Sequence, residues 1–212
     1  MIARPVLSCG SKFPVKSNSM LVLASASPRR QELLRNAGIA FTVQASGIDE
    51  TPLEGESPRS CAERLARDKA RAISSVRPQD YVLGADTIVV VDDGMLGKPR
   101  DAADAVRMLR MLSGRKHEVI TGVCVIKPAV SGQRSVANED VGSESTLVTM
   151  CSLSDEEILD YVATGEPMDK AGGYAIQGIA SRWIPRIKGD YSNVMGLPVS
   201  LVYRMLRKAG AL

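Results

Sequence analysis

Apolar positions along the chain change period several times, and the changes mark out its elements. Leu21-Val22-Leu23-Ala24 is a short unbroken apolar run, the pattern of a buried strand. Ser27-Pro28 then supplies a capping residue with proline at the first helical position. This predicts a helix to about Asn36, stopped by Gly38. Phe41 to Val43 reads as a second strand leading into the loop Gly47-Ile48-Asp49-Glu50. Ser57-Pro58 repeats the helix start for a long helix to about Val76. Tyr81 to Val91 is a further buried strand, turned by Asp92-Asp93-Gly94.

Asp101 caps a helix that carries Ala105, Val106, Leu109 and Leu112 inward until Gly114 ends it. His117 to Lys127 is a long strand expected to pair with Thr146 to Cys151, which leaves Pro128 to Ser145 as an extended polar hairpin loop. Ser154-Asp155-Glu156-Glu157 forms a capping box for a helix to about Ala163. Gly165 to Gly178 has no clear period, Trp183 to Ile187 returns to strand, and Pro198 opens the C-terminal helix. There is no internal repeat. Strands and helices interleave without strict βαβ repetition, so the expected fold is α/β with a mixed sheet and flanking helices. Residues 1–19 are polar, carry Arg4, Lys12 and Lys16 and no acid, and read as a flexible N-terminal extension. They are also a candidate organelle-targeting segment. The folded domain then spans 20–212.

Composition narrows the function classes. A chain of 212 residues is long enough for one sizeable core. Its 27 Lys and Arg against 24 Asp and Glu leave a net charge of only +3, and aromatics are 4%. Neither a basic stripe nor stacking platforms for nucleic acid are expected. No apolar run approaches the about 20 residues of a membrane span. Cys9, Cys61, Cys124 and Cys151 are scattered and His117 is the sole histidine, which argues against a disulfide framework, a zinc site and a histidine-based nucleophilic triad. The plain reading is a reduced, cytoplasmic protein. Any divalent metal would be held by carboxylates, which suits Mg²⁺ or Mn²⁺.

Four stretches look chemical. Ser25-Ala26-Ser27-Pro28-Arg29-Arg30 sits between a buried strand and a helix start, where free N–H groups and the helix dipole favour an anion. Two arginines there oppose the dipole, which makes sense if a polyanion binds; the plainer reading is a solvated pair. Asp86, with Thr87, lies inside an apolar strand, where a carboxylate is costly unless paired or on a metal. It is a candidate base or ligand, or else a structural tie. Lys69 shares a helix face with Cys61, Leu65 and Ile73, and either snorkels outward or reaches into a cleft. Lys98, before Pro99, is a weaker candidate. The glycine-rich loop 165–178 resembles a binding element, and Gln177 in it offers both a donor and an acceptor to a base edge. Asp190-Tyr191-Ser192-Asn193 reads as an ordinary turn without chemistry.

The blocks LASASPRRQELL, the Glu50 loop, LARDKA, LGADTIV, GKPRDAADA, LSGRKHEVITGV, YVATGEPMDKAGGYAIQG and NVMGLPVSLVY, in this order, resemble the Maf family of nucleoside triphosphate pyrophosphatases. The resemblance implies two lobes around a central cleft and hydrolysis of nucleotides to monophosphate and pyrophosphate. It implies that Asp86 is the proton acceptor, or a metal ligand, and that Arg29, Thr87 and Gln177 bear on substrate choice. Ser25, Arg30, Lys69 and Lys98 would line the phosphate site, with Lys69 and Lys98 beside the reacting groups, and Glu50 would join the metal side. The Tyr-Ala-Ile-Gln-Gly form resembles the dTTP/UTP branch of the family. The expected partner is thus a nucleoside triphosphate, with neither nucleic acid nor membrane, and with room for a homodimer. The rival reading is a nucleotide-binding regulator of division or septum formation without turnover. The extension 1–19 and the enlarged loop 128–145 depart from the bacterial pattern.

Overall fold

The apolar runs become strands of a single seven-stranded mixed sheet in a computed structural model of the chain, which describes residues 19–129 and 139–212. The strands are β1 (Leu21–Leu23), β2 (Thr42–Val43), β3 (Tyr81–Val91), β4 (Gly94–Leu96), β5 (Lys116–Ile126), β6 (Glu139–Thr149) and β7 (Arg186–Lys188). Their order is β2-β1-β3-β5-β6-β7, with β4 folded back on the end of β3. β1 runs parallel to both β2 and β3, and the other pairings are antiparallel. The helices are α1 (Pro28–Asn36), α2 (Pro58–Val76), α3 (Ala102–Leu112), α4 (Asp155–Ala163), the single turn α5 (Tyr191–Val194) and α6 (Val199–Ala209). No helix among the described residues is long and apolar enough to cross a membrane. The extension read at 1–19 falls, except for Ser19, outside the described residues.

Local signals set most boundaries. Ser57 and Asp101 accept from the backbone N–H three residues on, and Ser154 with Glu157 closes a reciprocal capping box. Ser27 departs from expectation: it stands before α1, but its side chain makes no capping bond. Among the described residues the first-turn N–H groups of α1 have no side-chain cap. The long loop expected at 128–145 is also corrected, because β6 begins at Glu139 and pairs with β5 along its whole length. The reason is polar packing. Glu139 meets Arg71 and Arg67 of α2, and Ser143 meets Glu63 and Arg59, so this half of β6 is polar without being a loop. Similarly, Trp183 lies in a 3-10 turn (Ile179–Trp183), and only Arg186–Lys188 forms strand there.

Alternation along β3 distributes the core. Val82 and Ile88 face α2, packing with Ala66, Ala70, Cys61 and Leu65. Leu83 and Ala85 face the other way, against Leu34 of α1 and Val202 and Leu206 of α6. Val89 and Val91 continue that face into a cluster with Leu109, Tyr161 and Trp183. α2 comes unusually close to the sheet. A Cβ at Gly84 would stand 2.1 Å from the Ala66 carbonyl oxygen, and one at Gly122 would stand 2.2 Å from that of Ala62. Only glycine fits at these two positions.

β1 accompanies β3 only as far as Leu83, and β4 joins it only from Val89. Between those points β3 has a strand neighbour on one side only. The carboxyl end of β1 opens onto that gap, the kind of place where α/β sheets bind ligands.

Candidate active site

The gap is the floor of a cleft of about 790 Å³. Ser25, Arg29, Arg30, Glu50, Lys69, Asp86, Thr87 and Lys98 all line it, brought together from the segment after β1, α1, the 45–52 loop, α2, β3 and the segment after β4. Apolar residues, among them Val89, Met168, Tyr174 and Met195, line the remainder.

On the α2 side, the Lys69 ammonium lies 2.6 Å from Asp86 Oδ1 and 2.7 Å from Glu50 Oε1. Lys69 and Asp86 are both buried, whereas Glu50 is 43% exposed. Lys69 reaches in because its neighbours on the helix face are the buried Cys61, Leu65 and Ile73, which pack on the sheet. The Glu50 loop is fixed from below. Asp49 accepts the Thr51 N–H, and Glu56 forms a two-point pair with Arg64, whose guanidinium also reaches the Thr51 carbonyl. That pair pulls the Glu56 carboxyl down to about 2. Glu50 lies below its ordinary value: burial would raise it, but the hydrogen bond and charge of Lys69, with Lys98 and Arg30, outweigh burial. Asp86 Oδ2 makes no hydrogen bond among the described residues.

On the other face stands Arg30, 9% exposed. Its Nε donates to the Gly196 carbonyl at 2.8 Å, Nη1 to Ser25 Oγ at 3.0 Å and Nη2 to Thr87 Oγ1 at 3.1 Å. All three acceptors are neutral, and Arg30 forms no ion pair among the described residues. Burial lowers its pKa, while the charges of Asp86 and Glu50 act in the opposite sense. A guanidinium has five N–H donors, so two remain for a ligand. Arg30 itself belongs to the uncapped first turn of α1, which also borders the cleft and where the helix dipole favours an anion.

The rim is built from distant segments. Arg29 of α1 pairs with Asp169 at 3.1 Å and also donates to its carbonyl. Lys98 is exposed and stands 3.6 Å from Glu50. The Gly172 N–H donates to the Gly97 carbonyl, stapling the 166–173 segment beside Lys98. Behind Tyr174, His117 Nε2 and the phenol oxygen are 2.7 Å apart in the core. Burial pushes the His117 imidazole down to about 4 and raises the Tyr174 phenol, so both are neutral at pH 7.

The family profile described as Maf-like protein matches residues 20–209. A dTTP/UTP pyrophosphatase of Koribacter versatilis is 57% identical over 192 residues, covering 91% of this chain and 95% of its own. Proteins of the same name from Geobacter sulfurreducens and Geobacter metallireducens are 54% and 53% identical, each covering at least 91% of this chain and 97% of its own. The chain belongs to the Maf-like family. Among solved structures, a nucleoside-triphosphatase / dITP/XTP pyrophosphatase of Mycobacterium abscessus covers 90% of the chain and 97% of its own, with 15% identity and a TM-score of 0.41.

One candidate residue of this Maf-like chain stands apart. Gln177 is exposed and does not line the cleft. Its loop folds into short 3-10 turns, in which Glu166 accepts from the Tyr161 hydroxyl and the Ile179 N–H. Three residues around the cleft were not legible beforehand. Thr121 hydrogen-bonds Thr87 from β5, Gly196 supplies the Arg30 acceptor, and Asn193 lies fully buried in what reads as an ordinary turn. A buried amide in a polar tetrapeptide leaves no periodic signal.

Glu50 and Asp86 stand together on Lys69 within the Maf-like cleft. Among the described residues no cluster of three or more His, Cys, Asp and Glu exists. A pair of carboxylates is a donor set of the kind Mg²⁺ takes, its shell being filled from phosphate oxygens and water.

Proposed function

We propose that the chain hydrolyses nucleoside triphosphates, with dTTP and UTP preferred, to the monophosphate and pyrophosphate. The observation that carries the reading is Arg30. A buried cation bound only to neutral oxygens is costly in isolation and becomes favourable once a polyanion enters beside it. Lys69, Lys98 and Arg29 add cationic groups to the same cleft. The Maf-like relatives named dTTP/UTP pyrophosphatase support the base choice.

In this reading the triphosphate lies along Ser25, Arg30, Lys69 and Lys98, with its base toward the apolar wall. A water oxygen attacks the α-phosphorus, the bond to the α–β bridging oxygen breaks, and pyrophosphate leaves with the electron pair. The proton from water passes to Asp86 Oδ2, while Lys69 holds Oδ1 and keeps the carboxylate oriented. Glu50 would hold Mg²⁺ or Mn²⁺ together with phosphate oxygens, which would supply charge neutralisation for the departing pyrophosphate; Asp86 as a metal ligand instead of the proton acceptor is the alternative role. Arg30 and Lys98 stabilise the charge that grows on the leaving group. The single folded unit 20–212 carries the whole site, in keeping with a cytoplasmic housecleaning enzyme of the nucleotide pool.

The test is pyrophosphate release from UTP, dTTP, CTP and 7-methyl-GTP, with and without Mg²⁺. The reading expects UTP and dTTP to lead and chelation to stop turnover. Nucleotide binding without pyrophosphate release would make the chain a sensor instead.

A further inference from the structure

The segment from Asp190 to Gly196 runs from the phosphate end of the cleft across β5 to β6. Asn193 is fully buried, and its side-chain Nδ2 donates to the Val119 carbonyl at 2.9 Å and to Thr146 Oγ1 at 3.1 Å. Its main-chain carbonyl accepts the Gly196 N–H at 2.9 Å and the Thr121 hydroxyl at 3.2 Å. Thr146 ties the start of the turn as well, exchanging hydrogen bonds with the backbone of Asp190 in both directions. Gly196 then turns at φ +109, a conformation that favours glycine, and presents its carbonyl to Arg30 Nε at 2.8 Å. Thr121 closes the circuit, since its hydroxyl also meets Thr87 Oγ1 at 3.0 Å, and Thr87 holds the Arg30 Nη2.

We propose that Asn193 is a positioning residue for the anion site: its buried amide, anchored on Val119 and Thr146, fixes the Gly196 carbonyl that aims Arg30 into the cleft. The inference rests on the reading of that cleft as a triphosphate site. Among the described residues Arg30 has no carboxylate to orient it, and its direction is set by three neutral acceptors. Two of them, Gly196 and Thr87, are held through Asn193 and through Thr121, which bonds the Asn193 carbonyl. A guanidinium set by a rigid carbonyl is delivered in one orientation, whereas a loosened turn lets it wander, and small misplacements of a positioned group are costly in rate. Nothing in the tetrapeptide itself touches the cleft; its effect passes through Gly196.

The experiment is a double-mutant cycle between Asn193→Ala and Arg30→Ala, read by kcat/KM for UTP, by calorimetric affinity for inorganic pyrophosphate, and by Tm. In the wild-type background, Asn193→Ala is expected to lower kcat/KM and pyrophosphate affinity by about tenfold or more. In the Arg30→Ala background it should change both by less than twofold, while its effect on Tm persists undiminished. A merely structural asparagine would lower Tm in both backgrounds without this loss of effect on binding. Thr146→Val loosens the same turn from the other side and runs the same cycle if Asn193→Ala does not fold. Equal losses in both backgrounds, or unchanged pyrophosphate affinity in the Asn193 variant, overturn the proposal. A wild-type chain that binds pyrophosphate but does not hydrolyse UTP sinks the enzymatic reading alone, and the cycle is then read from affinity. A wild-type chain that does neither sinks both.

Discussion

Asp86 and Thr87 are consecutive on β3 and engage cations on opposite faces of the sheet: Lys69 of α2 meets Asp86 Oδ1 at 2.6 Å, and Arg30 of α1 meets Thr87 Oγ1 at 3.1 Å. The period of two that sorts the core also sorts the chemistry. A one-residue slip of β3 would exchange the two faces and disconnect both cations at once. The long antiparallel ladder with β5 guards that register.

Replacing Asp86 by Asn keeps the shape and removes the charge. Lys69 retains Glu50 at 2.7 Å, so the fold should survive with a modest drop in Tm. Turnover should fall by about a hundredfold or more. Pyrophosphate release measured beside circular dichroism decides the matter, and a folded variant with wild-type turnover would make Asp86 structural.

Arg30→Met removes a buried cation that has only neutral partners. Its loss relieves the cost of a buried charge without a counter-ion but strips a donor from the Gly196 carbonyl, Ser25 and Thr87, so the two effects offset and Tm should change little. The variant should lose about 2–4 kcal/mol of transition-state stabilisation, the scale of one preorganised charge contact. Steady-state kinetics with a melting curve would show both effects; a large melting loss with intact kinetics would contradict the assignment.

His117 makes stability depend on pH. Its pKa falls from 6.5 in the unfolded chain to about 4 in the core because of burial. Between those values the unfolded chain binds the extra proton and the folded one does not, so stability is full above about pH 6.5 and declines as pH drops toward 4. The loss should total roughly 3 kcal/mol. Urea unfolding at pH 7 and pH 4.5 should show a smaller acid loss in His117→Gln, which can still bond Tyr174. Identical losses would assign the acid sensitivity elsewhere.

Gly84→Ala and Gly122→Ala each drive a methyl group into the α2 backbone, against Ala66 and Ala62. Overpacking of this kind costs about 1–3 kcal/mol and pushes the helix away. Because Lys69 rides on that helix, kcat/KM should fall along with stability. Chemical denaturation and kinetics on the same preparations test the coupling, and lost stability with unchanged kinetics would refute it.

Much of this architecture was legible in the chain. The proline-led helices, the buried strands, and the carboxylate and lysine set in apolar surroundings all follow from local rules, and those residues do meet in one cleft. The first half of β6 was not legible. Its residues are polar because α2 offers them arginines and a glutamate, and such partners are visible only in three dimensions. Asn193 escaped for the same reason, since its partners Val119 and Thr146 lie on two other strands. Gln177 shows the converse: a residue of the right chemical type, on a suggestive loop, that is exposed and not among those lining the cleft.

The missing strand neighbour along the middle of β3 has a genetic consequence. There one edge of β3 is peptide main chain without a strand neighbour, and peptide N–H groups are common to every residue but proline. A side-chain scan can strip the walls of charge one position at a time, yet the amide edge persists in every variant. New specificities on this scaffold would therefore arise by rebuilding walls around an inherited floor.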